Sequence, residues 1–490
     1  MEIEYLLGET PRRAPGRIAL TDRNRAITYG QLASIVQSDA ALLREAGGLR
    51  FGLLAENGCD WAVADLAMHH LHRVNVPLPA YFTPAQMRHA IDDASVDTLV
   101  TDRHAEVMDR WPEFNVVGSL SGGLAVLQRA VDPGARRAVP VGTIKITYTS
   151  GSTADPKGVC LPGAALDRAS RAMVQVTAPL GIGRHLCLMP LPTLLENLAG
   201  VHATLRSGAT CVIPSSADTG MNYGAFDPQR MLAMLTRQRP ESLILVPELL
   251  RVIVRAAQAG CALPQTLKFI AVGGAPVARS LLEEAAELKL PVFEGYGLSE
   301  CGSVVCLNTP QASRVGSVGR ALPHVAVSLD DEGELQVTGW VMSGYLGDAL
   351  HDGPRQIATG DLAEIDSEGY VYIRGRRRNL FITSFGRNVS PEWIERELAH
   401  EPAIRHALAI GEGCPDVRAL VCPARPELEH TALVRAVEHA NERLPDYARV
   451  RHVARMPETP TLSNGLLTAN GRLRRERVLE RFGALLERAA

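Results

Sequence analysis

The sequence predicts an α/β protein with a large N-terminal domain of parallel-sheet subdomains and a small hinged C-terminal domain that is α+β. Short apolar runs alternate with helical patterns, which is the rhythm of parallel β-α units. The runs are residues 243–246, 269–272 and 292–293, and the helical patterns are residues 248–259 and 277–288. The length of 490 residues exceeds that of one typical domain. The three consecutive arginines at 376–378 interrupt the pattern before a last α/β segment.

The composition is that of a globular protein rather than a nucleic-acid-binding or membrane protein. It is 46% hydrophobic and 21% charged, with a net charge of -3. No basic surplus supports nucleic-acid binding. The nine cysteines show no CxxC pair, which argues against a disulfide framework or a zinc site. The first ten residues contain acidic side chains where a signal peptide would have positive ones, and no apolar run approaches the length needed to cross a bilayer. We therefore expect a cytoplasmic protein without a transmembrane segment.

Residues 148–158, YTSGSTADPKG, have the composition of a loop that wraps phosphates. Glycines let backbone N–H groups turn toward an anion, hydroxyl side chains add donors, and a lysine adds positive charge. The candidate phosphate-binding residues are Thr149, Ser150, Gly151, Ser152, Thr153, Lys157 and Gly158. The Walker A spacing is absent, so a P-loop NTPase is excluded. An ordinary Gly/Ser surface loop is the alternative.

Lys157 stands out because the chain has 51 Lys+Arg but only four lysines, at 145, 157, 268 and 289. A compact ammonium follows a moving phosphate better than a planar guanidinium does. We therefore expect Lys157 to act on phosphate.

Two further glycine-rich segments follow predicted strands. Residues 273–276 read GGAP, and residues 294–297 read EGYG. Open α/β sheets bind ligands just beyond the carboxyl ends of their strands. These segments therefore predict a ligand site.

The motifs together resemble those of the adenylate-forming superfamily, which includes acyl-CoA synthetases, aryl-CoA ligases, luciferases and the adenylation domains of peptide synthetases. The matching segments, in family order, are residues 27–33, 75–80, 148–158, 273–277, 294–300, 332–339, 359–366, 375–395 and 464–475. The similarity is greatest to long-chain fatty acyl-CoA synthetases. It implies an ATP-dependent acid–thiol ligase that forms AMP.

The resemblance implies that a carboxylate attacks the α-phosphorus of ATP and that a thiol then displaces AMP. Lys157 and the hydroxyl loop would hold the β and γ phosphates, and Glu300 would bind Mg²⁺, which normally takes one or two protein carboxylates. Ser299, where relatives usually carry threonine, would bond the α-phosphate. The alternative for Glu300 is an acid that satisfies backbone donors at a helix start.

The same resemblance implies which residues bind the nucleoside. The segments Gly273, Gly274, Ala275, Pro276 and Glu294, Gly295, Tyr296, Gly297 would face the adenine. Asp361 would accept both ribose hydroxyls, and Arg376 would also meet the ribose. A buried core tyrosine and an aspartate that caps its own turn are the alternatives.

The resemblance also divides the chain into residues 1–377 and 378–490. Arg378 matches the hinge position, where relatives carry Asp or Lys, and hinges lie at element boundaries. Gly386 would let the pantetheine arm pass during thioester formation.

One departure concerns the family's C-terminal lysine, which falls on Arg472 in TANGRLRR. Arginine keeps the charge and offers a fork suited to phosphate and carboxylate. It is not conservative in a tight pocket, and losing such a contact would cost about a hundredfold in rate. We expect retained activity, with a nucleotide-binding protein of impaired turnover as the alternative.

The second departure concerns the acid. Thr193 replaces a histidine or aromatic gate residue, whereas Glu196 fits long-chain relatives. With only 5% aromatic residues, an aliphatic acid is favoured over an aryl one. We expect a fatty acid as substrate and CoA as acceptor, with the phosphopantetheine of an acyl carrier protein as the alternative acceptor.

Overall fold

The structure is a computed structural model. It describes residues 10–149, 157–222, 225–348, 353–377, 381–382, 388–412, 414, 416–444, 446–468 and 471–488.

The strands are β1 Ile18–Thr21, β2 Ala26–Thr28, β3 Arg50–Leu54, β4 Val74–Pro77, β5 Thr98–Thr101, β6 Asn115–Ser119, β7 Ala125–Gln128, β8 Thr143–Thr149, β9 Lys157–Pro162, β10 Arg184–Leu186, β11 Thr210–Val212, β12 Met221–Asn222, β13 Ala225–Phe226, β14 Ser242–Leu245, β15 Phe269–Val272, β16 Val292–Tyr296, β17 Cys306–Leu307, β18 Arg320–Ala321, β19 Val325–Leu329, β20 Glu334–Gly339, β21 Gly344–Tyr345, β22 Arg355–Ile365, β23 Val371–Arg376, β24 Phe381–Ile382, β25 Asn388–Val389, β26 Ile404–Ile410, β27 Val417–Pro423 and β28 Val450–Arg455.

The α-helices are α1 Thr10–Arg13, α2 Tyr29–Ala46, α3 Cys59–His70, α4 Pro84–Asp93, α5 His104–Arg110, α6 Gly163–Thr177, α7 Ala203–Arg206, α8 Ser216–Thr219, α9 Pro228–Gln238, α10 Pro247–Gln258, α11 Arg279–Glu287, α12 Pro391–Ala399, α13 His430–Asn441, α14 Arg475–Phe482 and α15 Ala484–Arg488. A π-helix, Glu196–His202, leads into α7.

Local sequence explains where several helices begin. Thr28 and Thr83 each form a capping box with a glutamine three residues later, at the starts of α2 and α4. Proline at the first position opens α10, where its missing N–H is not needed. These signals set helix boundaries that apolar periodicity alone leaves open.

The first large sheet carries the three predicted apolar strands. Its order is β18-β17-β16-β15-β14-β10-β11-β1-β2, and β11, β10, β14, β15 and β16 run parallel. The intervening helices α10 and α11 bury their apolar faces in the same core as β14 and β15. The predicted parallel α/β arrangement is therefore confirmed.

The second large sheet carries the predicted phosphate loop. Its order is β21-β9-β8-β4-β3-β5-β7-β6, with β8, β4, β3 and β5 parallel. β8 and β9 form an antiparallel hairpin that is joined through residues 150–156. Thr149 pairs with Lys157 at the loop end of this hairpin.

Smaller sheets follow. One has the order β19-β20-β22-β23, and the last has the order β26-β27-β28. Four buried apolar clusters draw their members from residues 19–371, and two draw theirs from residues 381–486. The domain division at 377/378 and a rotation about Arg378 stay predictions, because residues 378–380 lie outside the described part.

A charged network is buried between the second sheet and the π-helix. Asp65 is 1% exposed, and its Oδ1 accepts from Lys145 Nζ at 2.7 Å. Asn75 donates to Oδ1 at 2.6 Å, while Asn197 and His202 reach Oδ2 at 2.9 and 3.0 Å. Each oxygen of the Asp65 carboxylate therefore has two hydrogen-bond partners, as a buried charge requires.

Within the described ranges, no helix has the length and apolar character needed to cross a bilayer.

Candidate active site

The carboxyl ends of neighbouring parallel strands form one wall of the site. β15 ends at Val272 and β16 at Tyr296. The glycine segments at these ends lie against each other, because a Cβ on Gly273 would stand 2.7 Å from the carbonyl oxygen of Gly295. Gly274 has a φ of 74°, in the left-handed region that favours glycine. The backbone itself therefore forms this surface, which a flat ring could approach.

Gly297 sets the path of the chain just beyond β16. A Cβ at this position would collide with the carbonyl oxygen of Ser303. After this close approach to Ser303, the chain leads directly into the short turn Ser299–Cys301, which carries Glu300. Glycine therefore places Tyr296 and Glu300 on the same edge of the sheet.

Tyr296, Asp361 and Arg376 form one cluster. The Tyr296 hydroxyl donates to Asp361 Oδ2 at 2.5 Å, and Arg376 Nε lies 2.7 Å from Oδ1. Antiparallel pairing of β22 and β23 puts Asp361 directly opposite Arg376. A carboxylate has about four lone-pair sites, so Asp361 keeps capacity for further donors.

Burial controls ionisation in this cluster. Asp361 is 4% exposed, and burial raises the pKa of its carboxyl although Arg376 and the Tyr296 hydrogen bond oppose the shift. Burial and the adjacent Asp361 charge raise the pKa of Tyr296 well above its usual value. The phenol therefore stays protonated and acts as a donor.

Arg472 reaches this cluster from the C-terminal segment. It lies at the end of a tight turn in which Thr468 N–H donates to the Arg472 carbonyl at 2.7 Å. Arg472 keeps exposed surface, yet its guanidinium is within electrostatic reach of Arg376, Asp361 and Glu392. The residue at the family's lysine position thus stands beside the predicted ribose residues.

Lys157 and Glu300 both contact a third residue, Tyr345. Lys157 Nζ lies 5.4 Å from the centre of the Tyr345 ring, and the Tyr345 hydroxyl donates to Glu300 Oε1 at 3.1 Å. Pairing of β21 with β9 brings Tyr345 beside the start of β9. Burial and the Glu300 charge raise the pKa of Tyr345 to about 12. A cation and a carboxylate thus lie side by side at this end of the cleft.

Gly158 and Ser299 flank this end of the site. A Cβ on Gly158 would lie 3.0 Å from Ile146 Cγ2 and 3.2 Å from Tyr148 Cζ, which is tighter than ordinary contact. Ser299 opens the turn that carries Glu300, and its carbonyl accepts from Gly302 N–H at 3.1 Å. Ser150, Gly151, Ser152 and Thr153, and the side chain of Thr149, lie outside the described residues.

Glu294 lies where the C-terminal segment meets the first sheet. Burial raises the pKa of its carboxyl to about 8, against the effects of the Arg396 charge and a hydrogen bond from the Val277 backbone. Arg396 belongs to α12, so the state of Glu294 is tied to how that helix docks. Ala275 and Pro276 follow Gly274 in the loop between β15 and α11.

The two predicted acid-binding residues differ in placement. Thr193 is half-buried, and its carbonyl accepts from Asn197 N–H at 3.1 Å. Glu196 is fully buried: Oε1 lies 3.0 Å from His185 Nε2, and Oε2 accepts from Met189 N–H at 3.1 Å. Both Glu196 oxygens are engaged within the protein, so its contact with a substrate stays a prediction without geometric support.

Gly386 lies outside the described residues, so its predicted role in the passage of pantetheine stays a prediction. Sequence reasoning missed Tyr345 and Glu392. Tyr345 comes from a two-residue strand that forms only by pairing with β9. The one sequence signal for Tyr345 is that Gly344 precedes it, as Gly295 precedes Tyr296.

Comparison with known proteins gives a family match over most of the chain. The model of the AMP-binding enzyme family matches residues 7–346, and that of the AMP-binding enzyme C-terminal domain matches residues 379–489.

Two relatives show the range of similar proteins. Long-chain-fatty-acid–CoA ligase FadD15 of Mycobacterium bovis is 26% identical over an alignment of 478 residues, and the match covers 81% of this chain and 77% of the relative. Feruloyl-CoA synthase of an Amycolatopsis species is 28% identical over an alignment of 456 residues, and the match covers 84% of this chain and 87% of the relative.

A solved structure shows the shared fold. O-succinylbenzoate coenzyme A synthetase (MenE) from Bacillus subtilis, in complex with ATP and magnesium ion, superimposes with a TM-score of 0.75 at 22% identity. The match covers 96% of this chain and 98% of that chain. Because the family match spans well over half of the sequence, this chain belongs to the AMP-binding enzyme family, the adenylate-forming superfamily that its motifs resemble.

Proposed function

We propose that this protein activates a fatty acid with ATP and passes the acyl group to the thiol of CoA. In the first step a carboxylate oxygen attacks the α-phosphorus of ATP, which gives acyl-AMP and releases pyrophosphate. In the second step the thiol sulfur attacks the acyl carbonyl carbon. The thiol proton leaves to solvent and AMP departs.

The observation that carries the proposal is the convergence of charges in one cleft. Lys157, Arg376 and Arg472 supply cations for a reaction in which both partners are anions. Two opposed anions react only if their charges are neutralised and their geometry is fixed. Asp361, which accepts the Tyr296 hydroxyl, keeps further acceptor capacity for a nucleoside.

The cluster around Asp361 suits a ribose. Its two oxygens already bind Tyr296 and Arg376, which hold the carboxylate in one orientation. The remaining lone pairs can accept two adjacent hydroxyl groups. Arg472, which is within electrostatic reach of this carboxylate, would contact the α-phosphate and the acid that attacks it.

Glu300 fits a magnesium ion. Its Oε1 accepts one hydrogen bond, from Tyr345, and Lys157, which lies against the same tyrosine ring, would bind the phosphates that the ion bridges. Mg²⁺ normally combines one or two protein carboxylates with waters and substrate phosphates. When bound, the ion would neutralise charge on the β and γ phosphates.

Two observations support a fatty acid. Val246 Cγ1 and Leu195 Cδ2 lie 3.8 and 4.0 Å from the position of a Cβ on Gly274, so apolar side chains border the glycine wall. Similarity to the long-chain-fatty-acid–CoA ligase points the same way. Similarity to feruloyl-CoA synthase makes an aromatic acid the competing substrate.

A panel of acids tests the proposal. We expect ATP–pyrophosphate exchange with octanoate or palmitate at rates at least about tenfold above those with acetate, benzoate or ferulate, since each buried CH₂ contributes about 0.8 kcal/mol. Highest exchange with ferulate would replace the fatty acid by an aryl acid. Exchange with no acid would overturn the activity itself.

The acceptor is tested next, with CoA and a purified acyl carrier protein in parallel. The basic run at residues 472–477 is a candidate surface for either acceptor. Arg475 is already held inside the protein by Glu395 Oε1, at 2.5 Å, and by the Ala409 carbonyl. This leaves less free charge for an acidic carrier, so we expect thioester formation on CoA. Acylation of the carrier without CoA would reverse the choice.

Arg472 distinguishes a working ligase from a nucleotide-binding protein without turnover. We expect exchange in the wild type, and a loss of about a hundredfold in Arg472→Ala, because one charged contact to the transition state is removed. If the wild type binds Mg·ATP but catalyses no exchange and Arg472→Lys restores it, the non-catalytic alternative is correct.

A further inference from the structure

A cluster of histidine, cysteine and glutamate side chains is buried between the first large sheet and the π-helix. A ring nitrogen of His185, Sγ of Cys187 and a carboxylate oxygen of Glu196 all lie within 4.8 Å of one another. His185 is 3% exposed, and the other two residues are 0% exposed. Imidazole, thiolate and carboxylate are the side-chain ligands that zinc takes in proteins. The cluster therefore has the donor set of a zinc site.

The register of the sheet puts the donors of the strands on one face. His185 in β10 pairs with Cys211 of β11 on one side and with Ser242 of β14 on the other. Paired residues of neighbouring strands share a face, and so do residues two apart along a strand, such as His185 and Cys187. The Sγ atoms of Cys187 and Cys211 are 3.5 Å apart. The sheet thus assembles a ligand pair that no CxxC spacing announces.

Gly200 keeps open the space beside the ligand atoms. It belongs to the π-helix that begins at Glu196. A Cβ on Gly200 would collide with Glu196 Oε1 and stand 3.0 Å from His185 Nε2. Helical turns of the π type are rare and frequently lie at functional sites. The glycine and the π-turn together let Oε1 and Nε2 face the same space.

The other polar atoms of His185 and Glu196 are held by the protein. His185 Nδ1 lies 2.9 Å from Ser242 Oγ, and Glu196 Oε2 accepts from Met189 N–H at 3.1 Å. Metal-binding histidines and carboxylates are oriented in this way, by hydrogen bonds to the atoms that do not bind the ion. His185 Nε2 and Glu196 Oε1 are left facing each other at 3.0 Å.

The separations between donor atoms suit a tetrahedral ion. Nitrogen and oxygen ligands lie about 2.0–2.1 Å from zinc and sulfur ligands about 2.3 Å, so neighbouring ligands are roughly 3.3 to 3.8 Å apart. The 3.0 Å between Nε2 and Oε1 and the 3.5 Å between the two Sγ atoms are close to these values. Small side-chain shifts would bring the donors to bonding distance.

We propose that His185 Nε2, Cys187 Sγ and Glu196 Oε1 bind a zinc ion. Cys211 Sγ supplies the fourth ligand. The two thiol protons leave to solvent as the zinc–sulfur bonds form, and the imidazole keeps its proton on Nδ1, which donates to Ser242. The complex carries one negative charge, as a Cys₃His zinc site does. With four protein ligands the ion is structural, and it ties the π-helix to β10 and β11. The site does not depend on the proposed ligase activity.

The zinc content of the full chain is the first test, after expression with zinc and purification with a phosphine reductant. We expect about one zinc per chain in the wild type, and less than about one tenth of that in Cys187→Ser, which removes a ligand with little change of shape. Cys422→Ser is the control, since it removes an equally buried thiol in β27, and it should keep its zinc.

Cobalt, introduced by expression in cobalt medium, shows whether the thiols bind the ion. We expect a near-ultraviolet sulfur-to-cobalt charge-transfer band in the wild type and in Cys422→Ser. Cys187→Ser and Cys211→Ser should each remove about half of its intensity, because each removes one of two thiolates. A wild type without zinc and without this band overturns the proposal, whether or not the variants fold. An unchanged band in Cys187→Ser overturns it as well.

Ser242→Ala tests the orientation of His185. The loss of a hydrogen bond to a metal-binding histidine weakens binding about tenfold or more, so the Kd for zinc, measured by competition with a chelating dye, should rise by that factor. Ser170→Ala is the control: Ser170 is also buried, but its hydroxyl donates to the Asp167 carbonyl in α6. Equal Kd values for wild type and Ser242→Ala would remove His185 from the ligand set and overturn the proposed site.

Discussion

Two aspartates, both almost fully buried, behave in opposite ways in this protein. Asp65 is 1% exposed in the core, and Asp361 is 4% exposed at the nucleotide cleft. Burial alone would raise the pKa of both carboxyls. At Asp65, Lys145 and His202 outweigh burial and lower the pKa. At Asp361, Arg376 and Tyr296 do not outweigh it, and the pKa is raised.

The difference separates a charge that holds the fold from one that we propose binds a ligand. Asp65 contributes stability above its unfolded pKa of 3.8, and this is lost as the pH falls through the lower folded value. The raised folded pKa of Asp361 has the opposite sign, since the stability it contributes is present below 3.8 and lost as the pH rises through the folded pKa. Ionisation of Asp361 therefore weakens the fold, and we expect a ligand that donates hydrogen bonds to this carboxylate to offset the loss.

The largest expected effect is on stability. Lys145→Met leaves Asp65 buried without its cation, and removing one partner of a buried pair costs about 3–5 kcal/mol. Thermal and urea unfolding should both show the loss. Arg279→Met is the control, since it removes an exposed pair with Glu283 that contributes at most about 1 kcal/mol. Equal midpoints in the two variants would contradict a structural role for the Asp65 network.

Asp361→Asn should separate activity from stability. We expect pyrophosphate exchange to fall about a hundredfold, because a charged acceptor is lost, while the unfolding temperature stays the same or rises. Glu364→Gln, on the same strand but 64% exposed, serves as the control and should change neither. A fall in unfolding temperature with unchanged exchange would show that Asp361 holds the fold, as Asp65 does.

The carboxyl group of Glu294 tests the expected direction in which stability changes with pH. The pKa of Glu294 is raised from 4.5 to about 8, so the stability it contributes is present below 4.5 and is lost as the pH rises through about 8. Glu294→Gln should remove this loss. Melting temperatures from about pH 5 to pH 9 measure it, with the exposed Glu283→Gln as control. Parallel curves for wild type and Glu294→Gln would refute the shift.

The smallest effect is expected at the phosphate end. Tyr345→Phe removes the hydroxyl bonded to Glu300 but keeps the ring beside Lys157. The loss of one hydrogen bond to a charged group, about 1–2 kcal/mol, should raise the KM for Mg·ATP roughly tenfold, with a smaller change in kcat. Tyr372→Phe removes a bond of the same 3.1 Å length, to Asp366, and should leave the KM unchanged. A changed kcat alone would mean that Tyr345 does not position Glu300.

The sequence was sufficient where one element carries the signal. The apolar runs at 243–246, 269–272 and 292–293 correspond closely to β14, β15 and β16, because buried parallel strands are continuous apolar segments. The glycines of 273–274 and 295–297 fell at the ends of these strands, where the lack of a Cβ is a local requirement.

The sequence was insufficient where contacts join distant elements. Tyr345 reaches Glu300 only through the pairing of β21 with β9, and Glu392 approaches Arg472 only because α12 packs near the cleft. The scarcity of lysine pointed to Lys157 but equally marks Lys145, whose compact ammonium fits between Asp65 and Asn197 in the core. Composition cannot separate these two uses of one residue type.

Because lysine is scarce in this chain, the cleft can be probed by chemical labelling of amines. Of the four lysines, Lys145 is 2% exposed and closed to reagents, whereas Lys157, Lys268 and Lys289 are exposed. Lys268 Nζ donates to Glu241 Oε2 at 2.9 Å. An amine-selective label therefore meets three side chains in the whole protein. We expect a bound triphosphate to shield Lys157, which lies against the Tyr345 ring, so that a single peptide mass would report occupancy of the cleft.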